Sequence, residues 1–381
     1  MPLILSSQNI KQYLLDKSIC GNNHELNFEK KSSKNFNLLI TLTDNNQILV
    51  KQERYHSDGK TGGTFLQEWT IYQWLKNLIP DSHIIDFFTE VLDFDSENSI
   101  MILKYLHQYS DLKHFYESQK KYSPNIAYQL GCAIASIHRI TFDSDKTKQF
   151  FIQNKVDFDT SSIFLSELEE IYPVIFSKIS KDNIKFYKLY QRSINLQKAI
   201  KELQKNYEPR CLIHNDLNFN NILIHNQWQD INSQDNEQES IIKIIDWELF
   251  TWGDPALDLG NIIANYLNLW LSSFVISSDI DIQTALSLAM LPLEKLQSSI
   301  IALIKSYIVN FPEIFTIYPD FLNKTMQFTG VGLIEKIQAD IYYHQPFDNH
   351  SICMLQVAST LLCYPEKSIQ IVCGKKSSEF E

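Results

Sequence analysis

The sequence predicts an α+β chain. Strand-like runs gather between residues 25 and 105, and helical periodicity takes over after 111. Two short apolar stretches then bring strand character back inside the helical part: Cys211-Leu212-Ile213 with Ile222-Leu223-Ile224, and Ile241 to Ile245. A length of 381 residues, 44% hydrophobic, suffices for a large core and for two or more structural units.

Charge and cysteine usage narrow the class. The net charge is -11 and the isoelectric point about 5.4. An acidic chain is a poor partner for nucleic acid, whose phosphates need a basic face. The six cysteines are scattered, with no CxxC pair and no zinc spacing, and read as reduced core residues. The N-terminal run MPLILSSQNIKQYLLDK is too short and lacks the basic lead of a signal peptide. Ile262 to Ile276 is apolar, but Asn265, Asn268, Ser272 and Ser273 interrupt it below the roughly 20 residues that span a bilayer. The expectation is a soluble, cytoplasmic protein with no membrane and no nucleic acid partner.

In chain order, residues 7–18 read as a helix carrying Ile10, Tyr13 and Leu14 on one face, with Ser6 or Ser7 as its cap. Glu25–Lys30, Asn37–Thr43 and Gln47–Gln52 read as strands, the last two joined by the turn Asp44-Asn45-Asn46. Alternation puts Lys51 on the face of Leu49, inside the lobe, where an ammonium needs a partner. Glu68 is the natural one, on a helix from Thr64 to about Leu78 that opens with the capping-box pattern Thr64-x-x-Gln67. Gly59-Lys60-Thr61 imitates the end of a Walker A loop, but Arg54 stands where its first glycine must be.

Ile84–Phe94 and Ser99–Tyr105 read as two more strands around the turn Asp95–Asn98. Helices follow at Asp111–Gln119 and Ser123–Arg139, and 140–210 is helical and amphipathic. His225–Ser240 is a polar loop between the apolar runs. After Asp246 helices are expected at about 255–276, 281–309, 319–345 and 349–363.

The chemistry concentrates in 211–261. The first apolar run delivers His214, Asp216 and Asn221 with the spacing H-x-D-x-x-x-x-N, and the second delivers Asp246. An Asp, an Asn five residues on and a second Asp one hairpin away can meet over one point. Two are oxygen ligands suited to Mg²⁺, which takes only one or two protein ligands when phosphates supply the rest. The third carboxylate is left to accept a proton, the division of labour in kinase-type phosphoryl transfer.

H-N-D-L-x-x-x-N, then I-D-W-E, then G-D-P-A-L-D-L-G resembles the aminoglycoside phosphotransferase and choline kinase branch of the protein-kinase-like fold. Asn215 and Trp247-Glu248, in place of the Arg and Phe-Gly of protein kinases, favour the small-molecule branch. The resemblance implies two lobes: a β-rich nucleotide-binding lobe over residues 1–104 and a helical lobe over 105–381 that carries the catalytic loop and acceptor site. It implies Asp216 as catalytic base and Asn221 and Asp246 as Mg²⁺ ligands. It implies that Lys51 contacts the α/β-phosphates of ATP and that Glu68 holds Lys51. His214 would brace the catalytic loop and Asp258 would fix it from the next helix. The loop Lys31–Asn35 takes the place of the phosphate-covering loop, with Ser33 as a candidate contact although the loop has no glycine. Tyr105 and Leu106 stand at the adenine hinge, and His138 ends a helix similar to the family's A-x-x-H helix, as a packing residue. Residues 140–210 would shape the acceptor cleft.

The implied activity is transfer of the γ-phosphate of Mg·ATP to a hydroxyl of a small molecule, aminoglycoside-like or another alcohol. Asp279, Asp281, Glu294, Glu313, Asp320, Glu335 and Asp340 offer negative charge to a cationic acceptor. Two alternatives stay open. Val50-Lys51-Gln52, Glu68-Trp69-x-x-Tyr72 and Ile137-His138-Arg139-x-Thr141-Phe142 also resemble kinases that phosphorylate Ser or Thr of a ribosomal peptide in lanthipeptide-type pathways, beside a partner enzyme. The other is a nucleotide-binding pseudokinase module.

Overall fold

The computed structural model describes residues 3–21, 26–31, 35–42, 46–78, 83–154, 180, 183–229, 240–275, 284 and 288–380. In chain order the first half holds α1 (Ile10–Asp16), β1 (Asn27–Lys31), β2 (Phe36–Thr41), β3 (Gln47–Gln52), α2 (Thr64–Leu78), β4 (Val91–Asp95), β5 (Ile100–Lys104) and β6 (Tyr109–Asp111). Then come α3 (Leu112–Gln119), α4 (Pro124–Thr141), α5 (Asp145–Gln153), α6 (Ile184–Arg192), α7 (Ile194–Lys205), β7 (Cys211–Ile213), β8 (Ile222–His225), β9 (Ile242–Ile244) and β10 (Thr251–Gly253). The rest is helical: α8 (Pro255–Leu271), α9 (Glu294–Asn310), α10 (Ile314–Ile317), α11 (Phe321–Tyr342), α12 (Asn349–Cys363) and α13 (Pro365–Cys373). The chain packs as two compact units, Met1–Phe115 with Asn220–Phe250, and Tyr116–Phe219 with Thr251–Glu381.

The first unit is built on an antiparallel sheet in the order β1-β2-β3-β5-β4. Ile48 and Val50 of β3 point into a core shared with Ile40, Ile100, Ile102 and the α1 residues Ile10, Tyr13 and Leu14. Leu49 and Lys51 lie on the opposite face, half-buried, as period-two alternation requires. Gln52 is buried and fully used: its amide accepts from Leu5 N–H at 2.8 Å and donates to the Leu3 and Asn98 carbonyls. That pins the N-terminal segment across the sheet. A second sheet, β6-β8-β9, contains the hairpin on which Ile222 faces Ile244 and Ile224 faces Ile242.

Three expectations change in this unit. Neither serine caps α1; the Asn9 side chain accepts from Ser6 N–H at 2.7 Å just before the helix, and the Ser6 hydroxyl accepts from Gln8 N–H. The capping box on α2 is replaced by a long-range anchor, in which Glu53 accepts the Thr64 N–H at 3.0 Å. Ile84–Phe94 is not one strand, because a 3-10 turn over His83–Phe87 precedes β4. The carbonyls of Asp86 and Phe88 there accept from the Lys243 ammonium at 2.8 and 3.3 Å, so they turn toward a side chain.

The second unit is mainly helical. β7 does not pair with β8; it pairs antiparallel with β10, Ile213 facing Thr251 and Cys211 facing Gly253. Asp254 caps α8, accepting from Ala256 N–H at 3.1 Å, with Pro255 at the first helical position. Its other oxygen takes Glu208 N–H and the Lys324 ammonium at 2.9 Å, in an ion pair whose side chains are 5% and 1% exposed. Burial raises the Asp254 pKa, while Lys324 and the backbone donors pull against it. Removing one partner of such a pair costs about 3–5 kcal/mol. α8 ends at Leu271, short of the expected 276, where the Ser273 hydroxyl caps the Trp270 carbonyl at 2.7 Å. The helix expected over 281–309 is described as Glu294–Asn310, and α13 was not anticipated. Among the described residues no helix is long and apolar enough to cross a membrane. All six cysteines are free thiols.

α8 and α11 approach at Gly260, where an added Cβ would lie 2.7 Å from Phe328 Cβ and 2.9 Å from the Thr325 carbonyl oxygen. Alanine in place of a helical glycine gains about 1 kcal/mol of helix propensity. Overpacking here costs about 1–3 kcal/mol and should win. Gly260→Ala is expected to lower the urea midpoint with an unchanged slope; a stabilised variant would contradict the close approach.

Candidate active site

In the first unit the site is built around Lys51. Its ammonium lies 2.5 Å from Asp246 Oδ1, and its side chain is only 12% exposed. Burial works against the charged ammonium, yet the carboxylates of Asp246, Glu68 and Glu248 outweigh it and hold the pKa above the ordinary lysine range. Lys51 is therefore a permanent cation facing three carboxylates.

Asp246 follows β9 and adopts the left-handed region, φ 58° and ψ 55°. A non-glycine residue there costs of order 1–3 kcal/mol and marks functional turns. Asn221 precedes β8 and is buried. Its carbonyl accepts from Ile245 N–H at 2.9 Å, which brings Asn221 and Asp246 to the same end of the hairpin. One amide oxygen and one carboxylate form a donor set that fits a hard cation whose other ligands are waters and phosphates. Among the described residues, no three His, Cys, Asp or Glu side chains gather into a dedicated metal cage.

Glu68, on α2, lies behind Lys51. The sequence points to it as the direct partner of that lysine; the structure gives the direct bond to Asp246 instead. Glu68 accepts from the Trp247 backbone N–H, while burial raises its pKa against the pull of Lys51. Its Oε2 is buried with no hydrogen-bond partner among the described residues. Trp247 stacks on Phe88, with centroids 4.7 Å apart, and donates Nε1–H to the Ile244 carbonyl. The Thr64 hydroxyl lies 3.0 Å from both Glu53 Oε1 and Glu248 Oε2, so the start of α2 is tied to the segment after Asp246. Sequence reading missed this tie, since Thr64 and Glu248 are 184 positions apart.

Tyr105 and Leu106 continue from β5. Tyr105 N–H donates to the Gln47 carbonyl at 2.9 Å, and the Leu106 carbonyl accepts from Tyr109 N–H at 3.0 Å. Ser33 lies outside the described residues.

The second unit holds Asp216. Leu217 and Phe219 on either side of Asn218 are buried at 1% and 2%, which anchors the loop and leaves Asp216 exposed. Phe219 packs edge-on against Tyr116 and Tyr266, whose hydroxyls are 2.8 Å apart. The Asp216 N–H donates to His214 Nδ1 at 3.3 Å, and its Oδ1 accepts from Asn218 Nδ2 at 3.0 Å. Asn215 is left-handed, φ 67°.

Asp258, in the first turn of α8, holds this bend. Its Oδ2 accepts from His214 N–H at 2.7 Å and its Oδ1 from Asn215 N–H at 3.0 Å. The buried His138, in the last turns of α4, places its Nε2 3.3 Å from the same Oδ2. Burial would raise the Asp258 pKa, but the hydrogen bond from the His138 ring, joined by that from the His214 amide, holds it below the usual carboxylate value. His214 and Asp258 thus brace the loop, and His138 does more than pack.

Of the acidic residues that could meet a cation, Glu313 pairs with Arg139 and Asp340 with Lys336. Asp279 and Asp281 lie outside the described residues. Glu335, on α11, is the one raised by Asp216: burial first, then the Asp216 charge, push its carboxyl up to about 8.

Comparison with known proteins gives the family and the fold. A family model described as the phosphotransferase enzyme family matches residues 54–278, more than half of the chain. No curated protein matches by sequence. Among solved structures, the streptomycin–ATP ternary complex of APH(2")-IIa has a TM-score of 0.50 at 13% identity, covering 94% of this chain and 99% of that one. Macrolide 2'-phosphotransferase type I has 0.49 at 12%, covering 95% and 99%. The choline kinase LicA from Streptococcus pneumoniae has 0.48 at 15%, covering 93% and 98%. The first of these likenesses shows the protein-kinase-like fold, a small antiparallel sheet followed by a large helical part. By its match over 54–278, the chain belongs to the phosphotransferase enzyme family.

Proposed function

We propose that this protein transfers the γ-phosphoryl group of ATP to a hydroxyl of a small molecule. The observation that carries the reading is the buried Lys51 ammonium bonded to Asp246 at the end of the β8–β9 hairpin. Family membership supports it, as does the fold shared with a phosphotransferase solved in complex with streptomycin and ATP.

The roles follow from the chemistry of each group. Lys51 stays charged and grips donor phosphate oxygens, with Glu68 behind it to limit its reach. Mg²⁺, bound through the Asn221 amide oxygen and the Asp246 carboxylate, would neutralise phosphate charge. Tyr105 and Leu106 offer backbone groups to adenine. Asp216, exposed at the tip of a braced loop, orients the acceptor hydroxyl and takes its proton. Positioning and charge neutralisation do most of the work in such transfers.

Glu335 bears on the acceptor. Its raised pKa leaves it neutral at pH 7 and ionised above about 8, and a cation beside it would draw out the charged form. Affinity for an ammonium-bearing acceptor should therefore rise, by up to roughly tenfold in KM, between about pH 7 and about pH 9. Glu335→Gln should flatten that profile; an unchanged profile would remove Glu335 from the acceptor site.

Asp246→Asn is expected to weaken Mg·ATP binding by tenfold or more, on the scale of about 1.4 kcal/mol per decade, as followed by calorimetry. Wild-type affinity would exclude Asp246 as a ligand.

The test of the whole reading is ADP release from Mg·ATP over a panel of aminoglycosides, choline-like amines, nucleosides and Ser-containing peptides. Asp216→Asn should cut acceptor-dependent turnover by about 100- to 10,000-fold. Turnover on a peptide alone would favour the peptide-kinase reading. Mg·ATP binding with no turnover on any acceptor would favour the pseudokinase.

A further inference from the structure

The bracing of the catalytic loop does not end at His138. His138 Nδ1 lies 2.9 Å from the hydroxyl of Tyr307, a fully buried residue of α9. Tyr307 falls outside residues 54–278, the segment matched by the family model. α4 and α9 meet backbone to backbone nearby, since a Cβ on Gly131 would sit 2.4 Å from the Leu303 carbonyl oxygen. The Tyr307 ring is also fixed, stacked on Phe321 with centroids 5.4 Å apart and planes 16° apart.

The direction of the hydrogen bonds follows. Asp258 already accepts from two backbone amides and can only accept from His138, so His138 Nε2 carries the proton. Burial pushes the Tyr307 pKa well up, so the phenol keeps its proton; with Nε2 carrying the proton of the neutral imidazole, Nδ1 is the acceptor and the Tyr307 hydroxyl donates to it. The chain of contacts runs from Tyr307 O–H to His138, from His138 N–H to Asp258, and from Asp258 to the amides of His214 and Asn215.

We propose that Tyr307 is a positioning residue for the catalytic loop: its hydroxyl sets the His138 tautomer that orients Asp258, and Asp258 then holds the left-handed bend at Asn215 that presents Asp216. The functional half of this proposal rests on Asp216 being the base. Without the Tyr307 hydroxyl, Nδ1 loses its donor, His138 is no longer held to one tautomer, and the Asp258 carboxylate has one fewer anchor against rotation. The cost falls on the loop and not on nucleotide affinity.

Tyr307→Phe keeps the ring and removes only the hydroxyl. Ser306→Ala is the matched control: it deletes the 2.6 Å bond from the Ser306 hydroxyl to the Tyr128 carbonyl, between the same two helices, without touching His138. Two readouts are taken on the full-length protein. Hydrogen exchange at the His214 and Asn215 amides should speed up about tenfold in Tyr307→Phe and stay at the wild-type rate in Ser306→Ala. With an acceptor in hand, kcat should fall about tenfold in Tyr307→Phe while KM for ATP holds. Equal exchange in the two variants would overturn the proposal whatever the activity. A wild type that turns over no acceptor would sink the phosphotransfer reading, and the exchange comparison would still decide the role of Tyr307.

Discussion

The ammonium of Lys51 is the interaction on which the nucleotide-side geometry depends. A half-buried lysine is costly unless carboxylates meet it, and here three do. They arrive from two parts of the chain far apart in sequence. β3 presents the lysine on the face away from α1, α2 supplies Glu68, and the segment after β9 supplies Asp246 and Glu248. Three carboxylates against one ammonium leave negative charge in excess, the local condition under which a divalent cation binds well. Thr64, tied to Glu53 and Glu248, keeps α2 in register with the others.

The second unit repeats the same logic with a carboxylate at the centre. Asp258 is buried, and its pKa stays low because donors converge on it from α4 and from the catalytic loop. Both centres stand beside a residue in the left-handed region, Asn215 in one unit and Asp246 in the other. Such backbone persists only where surroundings over-determine it. The amide bonds to Asp258 do so for Asn215, and the Lys51 bond holds the Asp246 side chain.

Much of this was legible in the sequence because local pattern and function coincide. The alternation in Gln47–Gln52 paired Lys51 with Leu49 on one face of β3, although the fully buried core lies on the opposite Ile48 and Val50 face, and α2 runs from Thr64 to Leu78 as expected. The motif residues His214, Asp216, Asn221 and Asp246 sit within one stretch of chain, where spacing exposed them, and the family resemblance added Asp258. What stayed hidden depends on separation. Nothing local marks Glu335 as a neighbour of Asp216, or Tyr307 as the partner of His138, 169 positions away. Short apolar runs misled in another way: Ile84–Phe94 has strand composition, but a lysine 155 to 157 positions later captures its carbonyls. Cap patterns were the weakest guide, since a long-range carboxylate displaced the local one at Thr64.

The most direct test follows the phosphorus itself. ATP labelled in its γ-phosphoryl group would be incubated with the protein, Mg²⁺ and an acceptor alcohol, and the label traced after separation of products. The account predicts label in an organic phosphomonoester that a phosphomonoesterase releases. Label found only in inorganic phosphate, or left wholly in ATP with every acceptor class, would contradict it.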